Sequence, residues 1–178
     1  GVWLSPWGGY GQAKRERLQY GKTQGFEVND NGFSLAGPKY YARFRDVCAE
    51  MIRKYDVNYF KFDGVGIGNG RGGADEKFLP DIEGQLRLCT ELRKIRPDVP
   101  RIILTGYADK ENAIKAINEV GLFQYIEKPW DNDDLLIIVR NGLERSQLLK
   151  KLQEKISEIN DAYDELQGMH KQILKTFI

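Results

Sequence analysis

Histidine is nearly missing from this chain: His170 is the single one among 178 residues. One imidazole cannot build a His-rich metal site. It also stands in the charged C-terminal stretch, which leaves the remaining body without a Ser-His-Asp triad. Cysteine is almost as scarce. Cys48 and Cys89 are too few for a disulfide framework, and both fall on the apolar sides of expected helices. They read as reduced core residues of a cytoplasmic protein. Long apolar runs are absent too. The longest, Leu135 to Val139, is far short of a bilayer span, and no secretory leader or membrane partner is expected. Net charge is also lacking: 27 Lys and Arg against 26 Asp and Glu leave +1. Neither half is basic enough for a phosphate-lined groove, so no nucleic-acid partner is expected.

What is present is unevenly spread. Of the 19 glycines, 14 lie in the first 73 positions. Residues 8–37 read as a long polar loop after a short strand, Val2-Trp3-Leu4, which breaks at Ser5-Pro6-Trp7-Gly8-Gly9. From Pro38 the pattern becomes regular. Phe44, Val47, Cys48, Met51, Ile52 and Tyr55 follow one helical stripe. Asn58 to Phe62 reads as a strand ended by Asp63-Gly64. A helix is expected from Leu79 to Arg96, with Leu79, Ile82, Leu86, Cys89 and Leu92 inward. Arg101 to Leu104 is a strand ended by Thr105-Gly106, Ala113 to Val120 a helix, and Phe123 to Ile126 a strand ended by Glu127-Lys128-Pro129. Four strand–helix repeats predict an α/β domain over residues 1–148 with a four-stranded parallel sheet, flavodoxin-like or half a barrel. Ligands in such folds sit beyond the carboxyl ends of the strands. Those ends carry Ser5 and Trp7, Asp63, Thr105 and Lys128.

Asp131-Asn132-Asp133-Asp134 opens a last helix with a cap and carboxylates that suit its dipole. From Leu149 its apolar positions are Leu152, Ile156, Ile159, Tyr163, Leu166, His170, Ile173 and Phe177. This alternation of three and four is a heptad seam. Residues 149–178 therefore predict either a coiled-coil homodimer or a helix folded back on the domain. His170 reads as a seam residue and not as a phosphorelay histidine.

Two family resemblances follow from these residues. Residues 101–148, with Thr105 ending one strand and Lys128-Pro129 ending the next, resemble the second half of a response-regulator receiver domain. The resemblance implies Thr105 and Lys128 as phosphate-binding residues and Tyr125, three positions before the lysine, as the switch aromatic. Leu79-Pro80-Asp81-Ile82-Glu83-Gly84 also resembles the stretch that follows a receiver's phosphorylated Asp by a few residues. Residues 1–98, through Trp3-Leu4-Ser5-Pro6-Trp7 and Tyr59-Phe60-Lys61-Phe62-Asp63-Gly64, resemble a fragment of an alpha-galactosidase-like glycoside hydrolase barrel. That resemblance implies Asp63 as a former nucleophile and Lys61 as a sugar contact.

The two resemblances meet near Arg93 to Pro100, so the expectation is an engineered chimera acting as a scaffold or receiver-like signalling and interaction module, not an enzyme. The first alternative is a working phosphoacceptor receiver with Asp63 as acceptor. It would need magnesium, yet the first strand ends without the acidic pair that holds it; otherwise no cofactor is expected. The second is a carbohydrate-binding or hydrolase fragment using Trp3, Trp7 and Lys61, although the second catalytic carboxyl is missing. Gly68, Gly70 and Gly73 match G-x-G-x-x-G but lie too far from strand and helix for a nucleotide turn, and read as a loop.

Overall fold

The computed structural model describes residues 1–62, 78–105, 121–127 and 129–176. In chain order the elements are β1 (Val2–Leu4), α1 (Gly11–Thr23), β2 (Val28–Asn29), β3 (Gly32–Phe33) and α2 (Pro38–Tyr55). They continue with β4 (Phe60–Phe62), α3 (Leu79–Ile95), β5 (Ile102–Thr105), β6 (Gln124–Glu127) and α4 (Asn132–Thr176). The helix expected at Ala113 to Val120 and the glycine run 64–73 lie outside the described residues.

Residues 8–37 are not one loop. They hold α1 and a two-residue antiparallel pair, β2 with β3, that matches Val28 to Phe33 and Asn29 to Gly32. Helix α1 is missed by periodicity because Gln, Lys, Arg and Glu surround it and Leu18 is nearly its sole aliphatic anchor. Its residues are good helix formers all the same. Gly21 then lets the helix approach the sheet side: a Cβ there would stand 2.2 Å from the Phe33 ring.

Among the described residues, two separate parallel pairs stand in place of the expected four-stranded sheet. β1 runs beside β4 with Trp3 level with Lys61, and β5 beside β6 with Thr105 level with Glu127. Among the described residues no ladder joins β4 to β5. Strand type follows from local β-branched and aromatic runs, but pairing depends on contacts made far along the chain.

The core forms where α2 and α3 cover this frame. Phe33, Leu35, Tyr40, Tyr41 and Leu88 are buried together, with Phe26, Phe44 and Phe62 against them. Phe33 and Tyr40 stack at 4.4 Å, and the Tyr40 hydroxyl donates to the Pro6 carbonyl. Burial drives the Tyr40 hydroxyl well above its ordinary pKa. The expected inward faces are partly corrected. Cys48 and Ile52 are buried on α2, but Tyr55 is 64% exposed. On α3 the fully buried residue is Leu88, which the stripe omitted, while Leu79 lies 45% exposed. Both thiols are free, and burial pushes Cys48 up to about 12 and Cys89 up to about 11.

Helix α4 starts as expected: Asp131 Oδ1 accepts from the backbone N–H of Asp133 at 2.8 Å and of Asp134 at 3.2 Å. It then runs 45 residues, about 68 Å. Gly142 packs against Phe123 and Pro100, and Arg145 lies over the Phe123 ring at 5.8 Å. Past Lys150 it does not fold back on the domain, and its apolar seam is exposed. Among the described residues no helix is long and apolar enough to cross a membrane.

Candidate functional site

The carboxyl ends of β5 and β6 form the first candidate site. Thr105 ends β5 and Glu127 ends β6, and their pairing brings both strand ends to one edge. Tyr125 sits on β6 opposite Ile103. Lys128 follows β6 directly and Asp63 follows β4 directly, but both lie outside the described residues, as do the side chains of Thr105 and Tyr125. Among the described residues no ladder sets the Asp63 strand beside the Thr105 strand. β4 pairs with β1, and β5 pairs with β6.

The aromatic set divides. Trp3 and Lys61 share one face of the β1–β4 ribbon because they are level in the register. The Lys61 ammonium stands 3.9 Å from the centre of the Trp3 ring, a cation–π contact on an indole that is 63% exposed. Trp7 does not join them. It is 3% exposed, its indole N–H donates to the Gly9 carbonyl at 3.0 Å, and Tyr10 meets its ring edge-on. Trp7 is therefore a packing residue, because a turn of glycines folds over it.

Two polar centres escaped the sequence reading. The first is Asp81, on the first turn of α3 and 6% exposed. Its Oδ1 accepts from the Ser34 hydroxyl at 2.8 Å and the Ala36 N–H at 3.4 Å, and its Oδ2 from the Asn29 amide at 2.9 Å. Beside it Pro6, Trp7, Asn29, Phe33 and Phe78 line a space of about 10 Å³, the size of one water. That is a structural joint, too small for a substrate.

The second centre is Asp98, also 6% exposed. Arg96 grips it with two bonds of 3.0 Å and reaches Asp56 with a third of 3.0 Å. The Lys150 ammonium on α4 lies 3.7 Å away. Arg96, then Lys150, hold the Asp98 carboxyl below its ordinary pKa against the opposing effect of burial. This joint occupies the stretch that reads as the join between the two resemblances. The Arg-x-Asp spacing was its one local signal; Asp56 and Lys150 are distant in sequence.

Comparison with known proteins places the receiver resemblance on residues 78–140, which match the response regulator receiver domain. The matched span takes in α3, β5, β6 and the start of α4, and contains Thr105, Tyr125 and Lys128. A hydrogenase transcriptional regulatory protein, HoxA of Cupriavidus necator, is 39% identical over 66 residues, 37% of this chain and 14% of that one. Response regulator protein TmoT of Ectopseudomonas mendocina is 30% identical over 97 residues, 54% of this chain and 43% of that one. A receiver domain crystal structure from Clostridium thermocellum is 42% identical, with TM-score 0.33 over 36% of this chain and half of that one. The chain thus spans less than half the length of these curated relatives. The comparisons lend no support to the barrel resemblance of residues 1–98 or to a chimera.

Proposed function

We propose that the chain is a receiver-type module of two-component signal transduction that accepts a phosphoryl group on Asp63. The match of residues 78–140 to the receiver domain carries the receiver part of this reading, since it contains both Thr105 and Lys128; Asp63 lies before the matched span and enters as the acidic residue directly after β4. The β5–β6 register supports it by setting Thr105 level with the residue before Lys128. A carboxylate oxygen of Asp63 attacks the phosphorus of a small phosphodonor. The donor's bond to phosphorus breaks as the acyl phosphate forms. The Thr105 hydroxyl and the Lys128 ammonium answer the charge on the phosphoryl oxygens.

A magnesium ion at such an edge would be held by carboxylates at the strand ends, and Asp63 lies outside the described residues. β1 runs into Ser5-Pro6-Trp7 without a carboxylate, and among the described residues no group of three His, Cys, Asp or Glu could hold a metal ion. The proposed step draws on Thr105 and Lys128. The test is to incubate the protein with a small acyl phosphate and weigh it intact. An added phosphoryl group that disappears in Asp63→Asn and in Lys128→Ala is the expected result. Asp75 supplies the control, because it precedes Pro80 by five residues and receivers carry their acceptor a few residues ahead of that stretch. Loss in Asp75→Asn alone would move the acceptor there.

A second reading, an interaction module without transfer, is favoured by the same missing carboxylate after β1. Mixed parentage would rest on residues 1–77, which lie outside the matched span, and on the Trp3–Lys61 pair. Saturable galactoside binding that vanishes in Lys61→Ala would support that origin.

A further inference from the structure

Helix α4 is held by the body as far as Lys150 and is bare beyond it. Leu152, Ile156, Ile159, Leu166 and Ile173 are 49–66% exposed. Upstream, the same three-four stripe passes through Leu135, Ile138, Gly142 and Leu149, which are buried or half-buried. The stripe is interrupted at the exposed Arg145, serves the body as far as Leu149 and then runs on without cover. A helix drifts about 20° per heptad against a seven-residue repeat, so the outer seam turns off the body-facing side. An aliphatic stripe of this length in water is a helix interface lacking its partner.

We propose that the partner is a second copy of this chain, with the two α4 helices parallel and in register from Leu149 outward. Three observations select this occupant. The first is the polar layers. Tyr163 and His170 interrupt the seam at equivalent heptad positions. Parallel, in-register pairing sets each on its own copy and leaves the remaining layers aliphatic. Antiparallel pairing centred on the seam would set Tyr163 against Ile159 and His170 against Leu152, spoiling twice as many layers.

The second is the flanks. Gln153, Asn160, Ala162 and Gln167 are uncharged, and Lys155 would face Asn160, so no like charges oppose each other across the seam. In the last heptad Met169 and Leu174, 54% and 47% exposed, would meet across a parallel pair and widen the apolar cover. The third is extent. The exposed seam from Leu152 to Ile173 has seven positions. At on the order of 100 Å² each, they fall within the roughly 600–1,000 Å² per partner of a stable interface.

Sedimentation of the full chain at tens of micromolar tests the occupant. A dimer is expected, and Ile159→Asp with Leu166→Asp should convert it to a monomer whose body unfolds as before. Both residues are exposed in the single chain, so folding of the body is not at stake. A monomeric wild-type chain would overturn the proposal, and so would a dimer that survives the double substitution. Orientation is read by mild oxidation. His170→Cys should link to itself across the dimer, since Cys48 and Cys89 lie in the body. If a mixture of Leu152→Cys and His170→Cys chains links unlike to unlike instead, the helices are antiparallel and the proposal fails.

Discussion

Asp81 and Gly84 show how much of this molecule is decided by two positions one turn apart. The Asp81 carboxylate is buried and accepts hydrogen bonds from Asn29, Ser34 and Ala36, so the first turn of α3 is pinned to the segment around β3. Gly84 lies under that segment, where a Cβ would come within 2.6 Å of the Leu35 carbonyl oxygen. Backbone cannot retreat as a flexible side chain does. Gly84→Ala should therefore lose about 2 kcal/mol, although alanine is the better helix former. Urea unfolding measures it, and an equal or higher midpoint would refute the close approach. Asp81→Ala strands the Ser34 hydroxyl and the Asn29 amide without their acceptor and should cost about 2 kcal/mol in the same assay. The stretch that resembles a receiver's loop after its acceptor thus has a second duty here, fastening α3 to the N-terminal segment.

At the scale of elements, Asp98 joins three of them. Arg96 bridges it to Asp56, which ends α2 in the left-handed region at φ 49, and Lys150 brings in α4. Its carboxyl is held below the ordinary value, first by Arg96, so the folded form binds its proton more weakly than the unfolded chain. The stabilisation is complete above the unfolded value of about 3.9 and is lost as pH falls through the lower folded value. The melting temperature should stay level from about pH 7 to 5 and drop below about pH 4. Asp98→Asn should lie lower throughout and show a shallower acid drop; an unchanged acid limb would remove Asp98 from the explanation.

Neither this joint nor the Asp81 joint was legible beforehand, because the contacts of each span up to 52 residues. Helices α2 and α3 were legible from their stripes, and α4 from its cap and heptads. Helix α1 was not, since a helix polar on nearly every side leaves no period to read. The strand ends at Thr105 and before Lys128 were readable as local breaks in β-branched runs. The pairing of β4 with β1, without a described ladder to β5, was not, because strand order is set by distant partners.

The whole molecule divides its stability between a body and a rod. The main core, from Phe26 and Phe33 through Tyr40 to Leu88, is built entirely from residues before β5. A smaller cluster, Leu122 with Leu86 and Cys89, attaches the β5–β6 pair, and Gly142 and Lys150 attach the rod. Among the described residues, none from 151 to 175 is buried in the single chain. A chain ended after Lys151 should therefore keep the aromatic near-ultraviolet signal of the Phe33–Tyr40 core. Its melting midpoint should stay within about 2 °C of the full chain at high dilution. The two should separate as concentration rises. If α4 pairs between copies, the full chain's midpoint climbs with concentration, since association favours the folded state by mass action, whereas the shortened chain's does not. A shortened chain that melts more than about 5 °C lower even when dilute would mean that the outer helix supports the body directly. Parallel curves at every concentration would mean that the rod stabilises neither the body nor a dimer.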